Sequence, residues 1–171
     1  MVALRDQLLP EESDVLARVS PDAFDVASMT VVQSVFRAAA ALRGRLERSV
    51  LADEDLTWSS FTMLFCLWTW GPLETRDLAD RMGVSRPTVS GVTDTLERRR
   101  LVRRRADQPD ARLRTVTLTE AGQQLFAELF PRFNAQESAI CSHLDTDERE
   151  SLAGLLRTVV HSARGDDPDG Y

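Results

Sequence analysis

The arginine residues in the middle of the chain are the side chains best suited to a binding chemistry. Between Arg76 and Arg114 the sequence has 11 Arg and six acidic residues, a net charge of +5, whereas the remainder has 10 Arg and 21 acidic residues, a net charge of −11. The sequence contains no Lys. Every cation is therefore a planar guanidinium, which can bind phosphate or guanine through two hydrogen bonds. This local charge predicts a polyanionic partner, although the whole chain carries −6.

Side chains for enzyme chemistry are scarce in this sequence. It has no Gly-rich phosphate loop and no nucleophile–base arrangement, and its two His leave few general bases. Cys66 and Cys141 cannot build a disulfide framework, and neither Cys nor His has metal-ligand spacing. We therefore predict a protein that is not an enzyme, with no catalytic residues, no metal and no cofactor.

The apolar segments are too short for a membrane span. The longest strongly apolar stretch, residues 61–70, is about half of the ~20 residues that a spanning helix needs. The first residues lack the pattern of a signal peptide. We expect a cytoplasmic protein with no membrane partner.

Two short helices joined by a glycine turn are predicted within the basic segment. Thr75 is expected to cap a helix through Met82, and Gly83 to end that helix. Ser85 then caps a second helix, which runs to about Arg99. The buried apolar residues expected there are Val89, Val92, Leu96 and Leu101. Helix, tight turn and helix in this order indicate a helix-turn-helix motif.

A β-hairpin is predicted directly after this motif. Residues 101–105 and 113–118 suit two strands, and the second alternates apolar and polar residues. Residues 106–111 between them are rich in turn formers. A hairpin in this position makes the motif a winged helix-turn-helix.

Long helices with apolar residues at intervals of three and four flank the motif. They are predicted over residues 25–51, from Thr57 to about Trp70, over residues 119–143 with a kink at Pro131, and from Asp145 or Thr146 onward. We assign the chain as a mainly α (α+β) protein with the following parts: an N-terminal arm at 1–21, dimerisation helices at 22–56 and 119–164, the winged helix-turn-helix at 57–118, and a disordered tail at 165–171.

The motifs together resemble one family of regulators. The matching segments are Gly71-Pro72-Leu73, Leu78-Ala79, Gly83-Val84-Ser85-Arg86-Pro87-Thr88-Val89-Ser90, Leu96-Glu97, Leu101-Val102-Arg103-Arg104, Pro109-Asp110-Ala111-Arg112 and Leu118-Thr119-Glu120-Ala121-Gly122. In this combination and order they resemble the MarR family of transcriptional regulators over roughly residues 25–163. The resemblance implies a homodimer that binds palindromic double-stranded DNA, often as a repressor.

The N-terminal end of the second helix is the predicted reading surface. Its free N–H groups and positive dipole favour phosphate, and Arg86 suits the two major-groove acceptors of guanine. By resemblance, Arg112 reaches the minor groove. Asp110 is expected to orient a nearby Arg rather than to touch DNA, because phosphate would repel its carboxylate. The alternative is that these residues are simply exposed to solvent and do not contact DNA. The predicted DNA-binding residues are Thr75, Ser85, Arg86, Pro87, Thr88, Ser90, Arg98, Arg103, Arg105, Asp110 and Arg112. We expect about half of the run Arg98, Arg99, Arg103, Arg104 and Arg105 to contact phosphate.

Two residues of this region depart from local preference. The family commonly has Gly at the position of Arg100. If the backbone there is left-handed, Arg100 costs on the order of 1 kcal/mol. Gly91 within the second helix costs about 1 kcal/mol of stability relative to Ala. It either permits close packing of this helix against DNA or the preceding helix, or reflects simple drift.

The resemblance also implies a small aromatic or phenolic effector. The candidate pocket residues are Arg43, Trp58, Phe61, Phe65 and Trp68, and the alternative is an aromatic core without a ligand. The sequence thus predicts a DNA-binding regulator released by such an effector. Two alternatives stay open: a ligand-independent regulator, and a protein-interaction module without sequence-specific DNA binding.

Overall fold

The computed structural model describes residues 7–20, 22–106 and 114–165. The chain divides into two compact units between Arg48 and Ser49. The first unit contains α1 (Pro10–Leu16) and α2 (Val26–Leu46). A π-helical turn, Glu47–Leu51, includes the boundary, and a 3-10 turn, Ala52–Glu54, follows in the second unit. The second unit contains α3 (Trp58–Trp70), β1 (Leu73–Glu74), α4 (Thr75–Met82), α5 (Arg86–Arg98), β2 (Val102–Ala106), β3 (Arg114–Leu118), α6 (Glu120–Ile140) and α7 (Thr146–Arg164).

Most helices begin at the polar residues that the sequence indicates. Asp25, Thr57, Ser85 and Thr119 each accept a hydrogen bond at the start of α2, α3, α5 and α6 from the backbone N–H three residues later. Asp145 does the same for α7 within a capping box. The predicted mainly helical architecture with a small sheet is confirmed.

Thr75 is an exception among the predicted caps. It is the first residue of α4, and the cap is Glu74, which makes no side-chain capping hydrogen bond. Glu74 belongs to β1 and has an extended backbone, so the chain turns from strand directly into helix. The prediction of Thr75 as the cap was therefore wrong by one residue.

The sheet has one more strand than the sequence suggests. Its order is β1-β3-β2, and both pairings are antiparallel. Leu73 pairs with Val116 across β1 and β3, whereas Val102 pairs with Leu118 across β2 and β3. A strand of two residues carries no detectable periodicity, which is why β1 was missed.

The core of the second unit lies between α3, α4, α5, the sheet and α6. Met63, Leu78 and Phe126 are fully buried in it. On α5, Val89 and Leu96 are fully buried as predicted, but Val92 is half-buried and Thr93 is 1% exposed. Thr93 tolerates burial because its hydroxyl donates to the carbonyl of Val89 at 2.7 Å, within its own helix.

The long C-terminal helices differ slightly from expectation. Pro131 lies inside α6, and the helix ends at Ile140 rather than near residue 143. Gly165 ends α7 in a left-handed conformation. The rest of the predicted tail lies outside the described residues. No helix in the described ranges has the length and hydropathy to cross a membrane.

Candidate nucleic-acid interface

The turn between α4 and α5 presents the N-terminal end of α5 to solvent. Gly83 ends α4 with φ +64°, a conformation that favours glycine. Ser85 is extended, and its Oγ accepts from the Thr88 N–H at 3.3 Å and lies 2.8 Å from the Thr88 hydroxyl. Helix α5 therefore starts at Arg86 with a capped and well-defined first turn.

One face of α5 is buried, and the opposite face carries the predicted reading residues. Ser85, Arg86, Pro87, Thr88 and Ser90 are all exposed. The guanidinium of Arg86 has no ion-pair or hydrogen-bond partner within the described part of the chain. Thr75, at the start of α4, is half-buried. The structure thus brings the α5 candidates together on one accessible face.

Strand alternation divides the consecutive arginines of β2 between the two faces of the strand. Arg103 and Arg105 are exposed, whereas Arg104 points toward α5, where it binds Asp94 at 2.6 Å and also Glu97. The other carboxylate oxygen of Glu97 accepts from the Arg104 backbone N–H at 3.0 Å. Burial tends to lower the pKa of Arg104, but the hydrogen bonds and charges of Asp94 and Glu97 outweigh it and raise that pKa above its usual value. Arg104 is a structural tie between β2 and α5.

The arginines at the end of α5 also differ in their partners. Arg98 makes long hydrogen bonds within its own helix, 3.4 Å to the carbonyl of Asp94 and 3.3 Å to the hydroxyl of Thr95. Arg99 donates to the backbone carbonyls of Asp55 and Glu54, at 2.7 and 2.8 Å. Of the five arginines considered for phosphate contact, Arg99 and Arg104 are thus bound to residues of other elements. Among the described residues, Arg98 bonds only within its own helix.

Arg100 adopts the left-handed conformation that its neighbours require. Its φ is +59°, a value that costs a non-glycine residue on the order of 1 kcal/mol. The conformation turns the chain from α5 into β2, and the carbonyl of Arg100 accepts from the Thr119 hydroxyl at 2.6 Å. The conditional expectation of a strained Arg100 is met.

The start of α6 packs closely on this turn. The N–H of Thr119 donates to the carbonyl of Leu101 at 3.0 Å, and Thr119 also caps α6. A Cβ atom at Gly122 would overlap that same Leu101 carbonyl. Residues 118–122 therefore hold the start of α6 against the turn at Arg100 and Leu101. This contact needs a hydroxyl at Thr119 and no side chain at Gly122.

The tip of the predicted wing cannot be compared with the sequence prediction. Asp110 and Arg112 lie outside the described residues. Their assignment, one to orientation of an arginine and the other to the minor groove, stays a prediction.

The predicted effector residues of the second unit form an aromatic cluster between α3 and α6. The ring centroids of Phe61 and Phe133 lie 4.0 Å apart, and Phe61 is buried. Trp58 and Phe65 are half-buried, whereas Trp68 is 49% exposed. Arg43 lies on α2 in the first unit, and its role stays a prediction.

An open groove of about 440 Å³ lies beside Trp68, toward the sheet. The residues lining it are Leu67, Trp68, Gly71, Pro72, Thr117, Leu118, Gln123 and Ala127. Except for Trp68, these residues were not identified from the sequence as candidates for an effector site. They come from four separate elements, and no short motif connects them.

The two cysteines have different environments. Burial raises the pKa of the Cys66 thiol, with Arg81 acting weakly in the opposite direction, and Cys141 is half-buried. A buried thiol of raised pKa is protonated and behaves as a small apolar side chain. Within the described ranges, no group of three or more His, Cys, Asp or Glu side chains is arranged to hold a metal ion.

These features define a winged helix-turn-helix protein. The MarR family model matches residues 56–113. The uncharacterized HTH-type transcriptional regulator YwaE of Bacillus subtilis is 36% identical over 157 residues, which are 90% of this chain and 92% of YwaE. The chain belongs to the MarR family, whose members are transcriptional regulators rather than enzymes.

Solved structures of related proteins show the same fold. A structure described as a mechanism for regulation of DNA binding of Bordetella bronchiseptica BpsR by 6-hydroxynicotinic acid has 28% identity and a TM-score of 0.70, and covers 77% of this chain and 98% of BpsR. The Staphylococcus aureus MepR–DNA complex has 25% identity and a TM-score of 0.70, and covers 77% of this chain and 97% of MepR. The 6-hydroxynicotinic acid is a ligand of BpsR and the DNA is a partner of MepR, and both structures are similar to this chain in fold.

Proposed function

We propose that this regulator binds DNA in a sequence-specific manner, as a homodimer on a palindromic operator, and represses transcription in the cytoplasm. The observation that carries the proposal is the exposed N-terminal end of α5, where Arg86 has no partner in the described part of the chain. Arg103 and Arg105 supply further exposed cations on one face of β2. Two copies of α5 about 34 Å apart would match successive major grooves.

Binding to the DNA upstream of the protein's own gene tests this proposal. Fluorescence anisotropy compares that duplex with a random duplex of equal length at several salt concentrations. We expect Arg86→Ala to weaken binding to the upstream duplex by about 1–3 kcal/mol and to relax the preference at one base pair. The matched control is Arg164→Ala, which removes an exposed arginine at the end of α7.

Each alternative corresponds to a distinct result of this experiment. If the upstream duplex never binds better than random DNA, the protein-interaction module is favoured. If Arg86→Ala behaves like Arg164→Ala, the reading role of Arg86 is refuted. If binding is specific but a reporter gene behind the operator is not derepressed on deletion of the protein, the proposal of repression fails.

We propose further that a small aromatic acid releases the protein from DNA by binding in the groove at Trp68. Its volume of about 440 Å³ is within the range of small-molecule sites, and Trp68, which is 49% exposed, is one of the residues lining it. Thr117 and Gln123 supply hydrogen-bonding groups. Support also comes from BpsR, whose DNA binding is regulated by 6-hydroxynicotinic acid.

Titration of the protein–DNA complex with 6-hydroxynicotinic acid and other hydroxylated aromatic acids tests the effector proposal. We expect at least one acid to release the DNA from the wild type but not from Trp68→Ala. Trp70→Ala is the control, because Trp70 is equally exposed on α3 but does not line the groove. Release that is unaffected by Trp68→Ala refutes the groove, and no release by any acid favours a ligand-independent regulator.

A further inference from the structure

The loop between α2 and α3 is held by arginines from two different helices. Arg99, at the C-terminal end of α5, donates to the backbone carbonyls of Asp55 and Glu54 at 2.7 and 2.8 Å. Arg132, on α6, binds the carboxylates of Asp53 and Glu54 at 2.7 and 2.8 Å. All of these residues belong to the second unit. Three consecutive loop residues therefore connect α5, which we call the recognition helix, to α6.

The two arginines hold different parts of the loop. Arg132 binds side chains, whereas Arg99 binds main-chain oxygens, whose positions depend on the loop conformation. Asp55 is left-handed with φ +48°, and Leu56 is buried just beyond it. The N–H of Leu56 donates to the carbonyl of Leu51 at 3.0 Å. Because the Arg132 ion pairs orient Asp53 and Glu54, they also influence the two carbonyls that Arg99 requires.

Arg99 lies at the opposite end of α5 from the predicted reading residues. The helix has 13 residues, which corresponds to a length of about 20 Å. If the Arg99 end of this rigid helix shifts sideways, the helix tilts and Arg86 at the other end moves by a comparable distance in the DNA groove. The end of α5 is also held by α6, since the Thr119 hydroxyl donates to the carbonyl of Arg100. The loop supplies a second support from another direction.

We propose that Arg99 and Arg132 are positioning residues, and that the loop Asp53–Asp55 transmits the position of α6 to the recognition helix. DNA affinity then depends on ion pairs that need not touch DNA. The inference rests on the proposed DNA-binding function for its affinity effect, but the mechanical coupling between α6 and α5 exists without DNA.

The exposure of the Arg132 ion pairs makes the proposal testable in folded protein. The side chains of Arg132 and Asp53 are 44% and 65% exposed. Exposed ion pairs contribute little to global stability because water and salt screen them. We therefore expect Arg132→Gln to unfold at nearly the wild-type temperature, so that any change in α5 reports on coupling.

Hydrogen exchange provides the readout that does not depend on DNA. In Arg132→Gln, we expect faster amide exchange in the last turns of α5, although the hydrogen bonds and ion pairs of Arg132 go to Asp53 and Glu54 rather than to that helix. The control is Arg157→Gln, which removes an exposed arginine from α7. Exchange in α5 that matches this control overturns the proposal, whatever the protein's affinity for DNA.

Affinity measurements then separate positioning from phosphate contact. We expect Arg99→Gln and Arg132→Gln each to weaken specific binding by roughly 3- to 10-fold, with an unchanged salt dependence. The double variant should be less impaired than the product of the two single effects, because both act through one loop. A fall of about one in the salt slope for Arg99→Gln would instead assign Arg99 to a phosphate and overturn its positioning role.

The proposed function and this inference fail in different ways. If the wild type does not prefer the upstream duplex, the proposed function fails, and the exchange experiment still decides the coupling. If the wild type is specific but both variants bind like Arg157→Gln, the coupling to affinity is refuted while DNA recognition stands.

Discussion

The helices around the recognition motif and the last helix of the chain bury their apolar residues to very different extents. In the recognition lobe, which we define as α3, α4, α5 and the three strands, residues such as Leu64, Leu78 and Leu96 are completely buried. Helix α7 has no buried residue, and its Leu155 is 67% exposed. Side-chain capping hydrogen bonds are present at the start of α3 and α5 in the lobe and also at the start of α7. Capping therefore specifies a helix, but it does not supply a surface on which the helix can pack.

The same contrast is found in the first unit. Helix α2 has 21 residues and buries Leu46 alone, whereas Phe36 is 67% exposed and Val31 is half-exposed. Exposed apolar side chains at helical spacing are typical of protein–protein contacts. The lobe therefore forms its own core, whereas α2 and α7 leave apolar side chains exposed, and this difference supports the homodimer that we propose.

Leu155→Asp tests this comparison with the largest expected effect. If a second copy covers α7, the substitution occurs twice in a symmetric interface. Each buried leucine contributes roughly 1.5–3 kcal/mol, so we expect the dimer to dissociate into folded monomers. Sedimentation equilibrium measures the association constant. Arg157→Asp is the control, because Arg157 is exposed on the side of α7 opposite Leu155. A Leu155→Asp protein that stays dimeric contradicts the assignment of α7 to the interface.

Gly122→Ala tests the close packing of α6 against the recognition lobe. The added Cβ overlaps the Leu101 carbonyl, and the backbone there is held by the Thr119 hydrogen bonds. We expect a loss of about 3 kcal/mol in the free energy of unfolding, measured in urea. The matched substitution in the last helix is Gly154→Ala. There the new methyl meets the flexible end of Arg157 at 3.7 Å, and we expect a gain of up to about 1 kcal/mol. Equal effects at the two glycines would contradict the contrast.

Gly91→Ala has the smallest expected effect and tests which residues of the lobe serve an external partner. A Cβ atom at Gly91 would meet none of the described residues within 4 Å, so these residues give no reason for glycine there. We expect the free energy of unfolding to rise by about 1 kcal/mol, because alanine favours a helix more than glycine does. We expect specific DNA affinity to fall, because the methyl group keeps α5 out of the DNA major groove. Thermal unfolding and anisotropy measure the two quantities. Unchanged affinity would indicate drift at this position.

Much of the fold was predictable because its signals are local. Gly83, Ser85 and Thr119 act through their own backbone or the next three residues, so sequence reasoning identified the turn and both helix starts. The two-residue strand β1 has no local signal, since it exists through its pairing with β3. Thr93 was missed because a polar residue is buried where its hydroxyl bonds the preceding turn, and the pattern favoured Val92.

The candidate site was predictable in composition but not in the roles of its arginines. The sequence identifies a basic segment, an exposed helix N-terminus at Arg86 and a wing, and these need only charge, spacing and capping preference. Tertiary structure assigns the rest, because a guanidinium takes whichever acceptors the fold brings near it. Packing turns Arg104 toward Asp94 and Glu97 and Arg99 toward the carbonyls of the α2–α3 loop. In the described chain, that same packing leaves Arg86 exposed for a partner.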